Sequence, residues 1–224
     1  MRSRLLPAGT LAAAVATAVL LGGCSSGDDW SQPHAKPSAV GTLGPGFSDP
    51  AAPPAPEATI TPRPGSWNGI RPSKDYRVVL LTAGKDRQTR TLVNAVTKWA
   101  GEVNASLRTV TATKPNQFIP RISEAIDMKP DLVISAGNDL IDPLAMVTPN
   151  HLDQQFLVVG AELAEPTANV TAADWTGASF RGEGLGMSSA YDAATFTPER
   201  AARAVRAGVA AVLNGLTGIV VWID

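Results

Sequence analysis

The sequence predicts an α/β fold, a three-layer sandwich in which helices cover both faces of a mostly parallel sheet. Two observations lead to this prediction. From Tyr76 onward, short runs of aliphatic and β-branched residues alternate with longer stretches in which apolar residues recur at helical spacing. Several short runs are apolar throughout, as expected of strands that are buried on both faces. Such alternation favours parallel strands that are joined by crossover helices.

The strands are predicted from these apolar or alternating runs. The first ends at Ala83 and Gly84, and the third ends in the same way at Ala136 and Gly137. The fifth run is more polar than the others and is therefore expected near an edge of the sheet. In chain order, the predicted strands cover 77–82, 107–111, 130–135, 155–159, 169–175 and 217–223.

The helices are predicted from apolar residues three and four positions apart, which form one face of a helix. Three of them cover 88–103, 118–126 and 139–147. The fourth has the clearest start, because Thr197 suits the N-cap, Pro198 suits the first turn and Glu199 suits the positive helix end. Gly215 predicts where this last helix stops.

The N-terminus has the layout of a secretory signal. Arg2 and Arg4 precede an uncharged stretch at 5–23 that is rich in Ala, Val and Leu. Leu21-Gly22-Gly23-Cys24 then resembles the lipobox of bacterial lipoproteins. The resemblance implies cleavage before Cys24, a diacylglyceryl group on its thiol and a further acyl chain such as palmitate on its amino group, which together give stable membrane attachment. The alternative is an uncleaved signal anchor, since the apolar stretch is just long enough to span a bilayer.

Between this cysteine and Tyr76 the composition changes. Residues 25–75 contain 10 of the 18 prolines, which lock φ and lack an amide donor. The sequence therefore predicts a disordered, extended tether at 24–75, after a signal peptide at 1–23 and before a folded domain at 76–224. Trp30 and Trp67 lie in the tether, where they could pin it to the domain or simply be exposed.

Composition excludes several kinds of function. A net charge of −1 gives no basic patch for nucleic acid. One cysteine and two histidines leave no ligands for a thiolate or histidine metal site, and no catalytic motif or phosphate-binding loop occurs. We therefore expect no enzyme activity, no metal and no cofactor.

The strand sequences at 78–86, 130–137 and 155–160, followed by Asn169 and Val170, resemble the first lobe of type I periplasmic binding proteins. Within these they are most similar to the basic membrane protein (BMP) lipoproteins, which serve ABC importers and include nucleoside binders. The resemblance implies a single Rossmann-like lobe, because residues 76–224 suffice for one lobe where the family has two. The segment that carries an aromatic residue in that family reads Arg-Gln-Thr-Arg here, at 87–90.

In open parallel sheets, ligands bind at the carboxyl ends of the strands. The polar residues at those positions are the candidate ligand contacts: Asp86, Gln88, Asn138, Asp139 and Glu162. Gln88 also begins a helix whose N-terminus would favour an anion. The alternative is that these residues only cap helices and shape turns.

Two functions follow as hypotheses. The first is a lipoprotein on the extracytoplasmic face of the cell membrane that binds a small polar ligand, such as a nucleoside, and delivers it to an ABC permease. The second is a non-catalytic interaction module that contacts an envelope enzyme or transporter without a ligand.

Overall fold

A computed structural model describes residues 29–224 of the chain, so the expected signal peptide and Cys24 lie outside the described residues. The strands are β1 Ala39–Val40, β2 Thr59–Ile60, β3 Arg71–Pro72, β4 Arg77–Ala83, β5 Ser106–Ala112, β6 Leu132–Ala136, β7 Phe156–Val159, β8 Val170–Asp174 and β9 Val220–Trp222. The α-helices are α1 Arg87–Val103, α2 Phe118–Asp127, α3 Ile141–Val147 and α4 Pro198–Leu213.

Seven of these strands form one sheet in the order β2-β9-β8-β7-β6-β4-β5. Every neighbouring pair in this sheet is parallel. Strands β1 and β3 form a separate antiparallel pair. The predicted α/β class with a mostly parallel sheet is therefore confirmed.

Helices cover both faces of the sheet, which accounts for the apolar strands. Along β4, Val78 and Leu80 pack in the cluster that includes α1 and α4, whereas Val79 and Leu81 pack in the cluster that includes α2 and α3. All seven residues of β4 are buried. A strand between two helical layers has no solvent face, so it shows no polar alternation.

Strand β8 does not lie at an edge, contrary to the expectation from its polar composition. It pairs with β7 on one side and β9 on the other, and all five of its residues are buried. Thr171 and Asp174 are completely enclosed. The edge position belongs to β2, a strand that the sequence analysis did not anticipate, on the far side of β9.

The segment at 29–75 differs from the expected tether, because it packs along the domain. Phe47 and Trp67 lie in the core beside α1 and α4, and Trp30 packs in the cluster on the opposite face. Of the two alternatives for the tryptophans, pinning is the one observed. Proline limits this segment to strands of two residues, but it does not prevent large aromatic side chains from burying apolar area.

The start of α4 follows the prediction. The Thr197 hydroxyl accepts a hydrogen bond from the Arg200 amide, and Pro198 occupies the first helical position. Gly215, with φ of +73°, follows the end of the helix. None of the helices within residues 29–224 combines the length and the apolar character needed to cross a bilayer.

Candidate functional site: a polar crevice between two strand ends

The sheet contains one reversal of strand order, and it lies beside β4. The chain goes from β4 to its neighbour β5 on one side and then returns to place β6 on the other side. The connections that leave the carboxyl ends of β4 and β6 therefore diverge and leave a crevice between them. Open α/β sheets bind their ligands at such a switch point.

Four of the five candidate contacts line this crevice together. Asp86 and Gln88 follow β4, and Asn138 and Asp139 follow β6. The cavity has a volume of about 170 Å³, and its remaining lining residues are Thr89, Gly137, Tyr191 and Phe196. The order of strands thus brings together residues that are about fifty positions apart in the chain.

Asp86 is the N-cap of α1. One carboxylate oxygen accepts the Thr89 amide at 2.8 Å and the other accepts the Thr89 hydroxyl at 2.6 Å. Partial burial raises the pKa of Asp86, but the bonds from the Thr89 hydroxyl and amide outweigh it and hold the pKa below its ordinary value. The carboxylate already compensates the positive end of α1, which disfavours the expected anion at that position.

Two glycines shape the crevice. Gly84 has φ of +80°, and a side chain there would place its Cβ 2.7 Å from Asp139 Oδ2. Gly137 has φ of +95°, and its Cβ would lie 3.0 Å from the Thr89 hydroxyl. Glycine at both strand ends therefore permits turns in the left-handed region and lets polar side chains approach the backbone.

The crevice contains several hydrogen-bond acceptors beside the amide groups of Gln88 and Asn138. The carboxylates of Asp86 and Asp139 carry negative charge into it, and Asn138 Oδ1 is buried without a hydrogen bond from any described residue. Unpaired buried acceptors are costly unless a donor reaches them. The arrangement therefore suits a ligand that presents hydroxyl or amino groups.

Aromatic residues close one side of the crevice, and the sequence analysis missed them. Tyr191 and Phe196 have ring centroids 5.8 Å apart, and Phe196 meets Trp175 edge-on at 5.1 Å. Tyr191 is 46% exposed, whereas Phe196 and Trp175 are buried. Burial, followed by the nearby Asp86 charge, raises the pKa of the Tyr191 phenol. Aromatic side chains thus reach the crevice from about a hundred residues after the segment at 87–90, which has none.

Glu162 does not join this crevice. It follows β7, which is separated from β4 by β6, and lines a second cleft of about 400 Å³ with Arg181, Ser188 and Trp222. Its carboxylate lies 3.3 Å from Arg181 Nε and accepts the Ser188 hydroxyl at 2.9 Å. The loop at 182–196 contributes Ser188 to this cleft and Tyr191 to the crevice, so both sites share that loop.

A buried carboxyl at the end of β8 was also missed, because the local sequence reads as an ordinary strand end. Asp174 is completely enclosed; one oxygen accepts the amides of Trp175 and Ser179. Its other oxygen has no hydrogen bond among the described residues. Burial raises the pKa of Asp174 to about 7, against the effect of the two amides and with a further contribution from Glu162.

The described part of the chain contains no cluster of three His, Cys, Asp or Glu side chains that could hold a metal ion. His151 is half-buried in the loop before β7, where its carbonyl accepts a hydrogen bond from Asn169. The glycine-rich stretch at 182–186 forms bends and turns after β8.

The sequence matches no protein-family model and no curated protein. Among the solved structures that are similar to part of it are three with 16–19% identity. An ABC transporter solute-binding protein from Aeropyrum pernix K1 has 18% identity and a TM-score of 0.41, over 45% of this chain and 29% of that one. Another from Conexibacter woesei DSM 14684 has 19% identity and a TM-score of 0.37, over 45% and 35% of the two chains.

The third structure is a fragment of a Peptoclostridium difficile 630 protein with the provisional name lipoprotein. It has 16% identity and a TM-score of 0.45, over 63% of this chain and 99% of the fragment. The present chain spans less than a third of the length of the Aeropyrum protein.

Proposed function

We propose that this protein is a lipoprotein on the extracytoplasmic face of the cell membrane, with a non-catalytic α/β lobe that binds a small polar ligand for an ABC importer. The observation that carries the proposal is the crevice at the switch point between β4 and β6. Its lining includes Asp86, Gln88, Asn138 and Asp139. The membrane part of the proposal rests on the lipobox resemblance at Cys24.

The charge of the crevice narrows the class of ligand. Two carboxylates and an unpaired amide oxygen are acceptors, and the positive end of α1 is already capped by Asp86. Phosphorylated or carboxylate-bearing ligands would meet repulsion there. A neutral ligand with several hydroxyl donors, such as a sugar or the ribose of a nucleoside, fits these acceptors.

Tyr191 favours a nucleoside within this class. Its ring is half-exposed at the rim, beside the carboxylates that would receive ribose hydroxyls. Aromatic faces stack on nucleobases and contribute about 1–3 kcal/mol per base. A cavity of about 170 Å³ encloses only part of such a ligand. A second wall, from another lobe or another molecule, would be needed for tight binding.

The test is calorimetric titration of the purified domain with nucleosides, pentoses and amino acids. We expect heat of binding with a nucleoside, and a loss of affinity of at least about tenfold in Asp139→Ala and Tyr191→Ala. Asp153→Ala is the matched control, because Asp153 is an exposed aspartate at the opposite edge of the sheet. Binding of no compound in the set would contradict the proposal, and so would equal losses in Asp139→Ala and Asp153→Ala.

One observation favours the interaction module as a second candidate. Leu185 and Met187 lie in the loop beside the crevice and are 51% and 47% exposed. Exposed apolar residues of this size, next to Tyr191, are typical of a protein contact. A photo-crosslinking residue at Met187 should then capture an envelope enzyme or transporter in cells, and capture should be lost when the label is moved to exposed Leu152, in the loop before β7 at the opposite end of the strands.

A further inference from the structure

The segment that begins at Asp29 is bound to the sheet through several side-chain contacts. Trp30 is 8% exposed, and its indole Nε1 donates to the Ser106 hydroxyl at 2.8 Å. The guanidinium carbon of Arg108 lies 4.3 Å from the centroid of the Trp30 ring. The first turn of the segment is therefore fixed to edge strand β5 by burial, a hydrogen bond and a cation–π contact.

Arg77 holds the backbone of the same segment. Its buried guanidinium donates to the carbonyls of Asp29, Trp30 and Gln32 at 3.2, 3.3 and 2.9 Å. A few residues later, His34 Nε2 lies 2.8 Å from the carboxylate of Asp131, which also accepts the Arg77 amide at 2.8 Å. These contacts form a clamp, made by Arg77, Ser106, Arg108 and Asp131, that grips residues 29–34.

The clamp lies at one specific edge of the sheet. Arg77 and Ser106 are the first residues of β4 and β5, and Asp131 directly precedes β6. All strands of the sheet are parallel, so every strand begins at this end, which we call the amino edge. The crevice lies at the opposite end, the carboxyl edge, where the strands finish. Strands of seven residues place the two edges about 20 Å apart.

The lipid attachment point leaves little chain to separate this edge from a membrane. Cys24 lies five positions before Asp29, and five residues span at most about 18 Å even when fully extended. A tether that ran from Cys24 to Tyr76 would have allowed any orientation, but the clamp fixes the chain to the domain from residue 29 onward.

We propose that the protein lies close against the outer surface of the cytoplasmic membrane, with its amino edge towards the lipid and its crevice facing away. The occupant of this surface is the lipid headgroup layer. Leu152, in the loop before β7 at the same edge, is 59% exposed and can enter that layer. The exposed charges there balance, so the short covalent link, rather than net charge, sets the orientation; they are Lys36, Lys74 and Lys129 with Asp75, Asp127 and Asp153.

This inference rests on the lipid anchor in the proposed function but not on any ligand. Its consequence is that the crevice opens to the outside, away from the plane that would contain a permease, so this orientation favours the interaction module, the second candidate above, over delivery of a ligand to an importer. Ligands, or a protein that completes the site, reach it from the extracellular side without crossing the membrane surface.

The test is energy transfer from two labelled positions to acceptor dyes on lipid headgroups, with the full lipidated protein in vesicles. The natural chain has a single cysteine, Cys24, whose thiol the lipid occupies, so an added cysteine can be labelled alone. Asp153→Cys reports the amino edge and Lys85→Cys reports the crevice edge, and both positions are exposed. We expect about threefold greater transfer from position 153, in keeping with an edge separation of about 20 Å.

The matched control is a spacer of glycine and serine inserted between Asp28 and Asp29, which leaves every contact of the clamp in place. The spacer should bring the two transfer efficiencies close together. Equal transfer without the spacer would overturn the proposal, as would a difference that persists unchanged with it. Failure of the protein to associate with vesicles would overturn it as well, while leaving the calorimetric test of ligand binding unaffected.

Discussion

The carboxylate of Asp86 is bonded at both oxygens to one residue, Thr89, through its amide and its hydroxyl. The aspartate therefore has a structural role at the start of α1 as well as a place in the crevice. The two roles can be separated, because the chain offers a second capped helix whose cap residue follows Phe196 but does not itself line the crevice. Thr197 caps α4 in the same way, through the Arg200 amide.

Replacing Asp86 should reduce both stability and binding. We expect Asp86→Ala to lower the free energy of unfolding by about 1 kcal/mol, the usual value of an N-cap, and Tm by about 2–4 °C in a domain of this size. Thr197→Ala should produce a similar loss, but only Asp86→Ala should weaken ligand binding in calorimetry. Equal binding by the two variants would show that Asp86 only caps the helix.

The Asp86 cap should also depend on pH. Its pKa is depressed in the folded state, so its contribution to stability is present above the ordinary aspartate pKa. The contribution is lost as pH falls through the lower folded value. The stability difference between the natural protein and Asp86→Ala, measured by urea unfolding, should therefore shrink below about pH 4. A difference that grows in acid would contradict this assignment.

Asp174 should give stability a pH dependence opposite to that of Asp86. Its folded pKa is about 7, so between about pH 4 and 7 the folded protein holds a proton that the unfolded chain has lost. Stability should therefore fall as pH rises through this window and level off above it, by up to about 4 kcal/mol. Asp174→Asn keeps an oxygen for the Trp175 and Ser179 amides and should remove most of this slope in urea unfolding. An unchanged slope would assign it to another group.

Gly84 should be intolerant of a side chain. In Gly84→Ala the left-handed φ costs about 1–2 kcal/mol, and the new Cβ displaces the Asp139 carboxylate from its position 2.7 Å away. Both stability and ligand affinity should fall. Gly186→Ala is the control, because a Cβ there has no neighbour within 4 Å. Thermal unfolding with and without ligand measures both effects, and similar behaviour of the two variants would contradict the prediction.

The segment at 29–75 should be required for a stable fold. A chain that begins at Tyr76 lacks Phe47 and Trp67, which are 2% and 4% exposed in the core, and leaves β9 without its outer neighbour β2. Truncating one such aromatic side chain costs about 3–5 kcal/mol. We expect the shorter chain to unfold at much lower urea concentration than 29–224 or to aggregate. Equal stability of the two chains would contradict this expectation and support the prediction of a disordered tether.

The local sequence predicts the secondary structure well, because strands that are buried between two helical layers are apolar throughout. The uniform apolar runs at β4, β6 and β7 and the cap at Thr197 each have a local physical cause. The sequence does not predict which strands lie next to one another in the sheet. Polar residues in β8 indicated an edge, but β9 pairs with its outer side, and β2, more than a hundred positions earlier in the chain, takes the edge beyond β9.

The crevice shows the same division. Asp86 and Asn138 could be placed together because parallel strands end at one edge. The sequence could not place Tyr191 at the crevice, because Tyr191 lies in an irregular loop with no periodic pattern that would predict its direction. Glu162 lies in a different cleft from the other candidates because strand order, which the sequence does not reveal, puts β6 between its strand and β4.

The pairing of β2 with β9 has a consequence for the order in which the protein assembles. Thr59 lies beside Val220, a separation of about 160 residues. Closing a loop of that length precedes any gain from the contact, which slows folding. The sheet edge therefore stays open until nearly the whole described chain is present. The described chain therefore cannot complete its sheet strand by strand from the amino end, because β2 has no partner until β9 has been made.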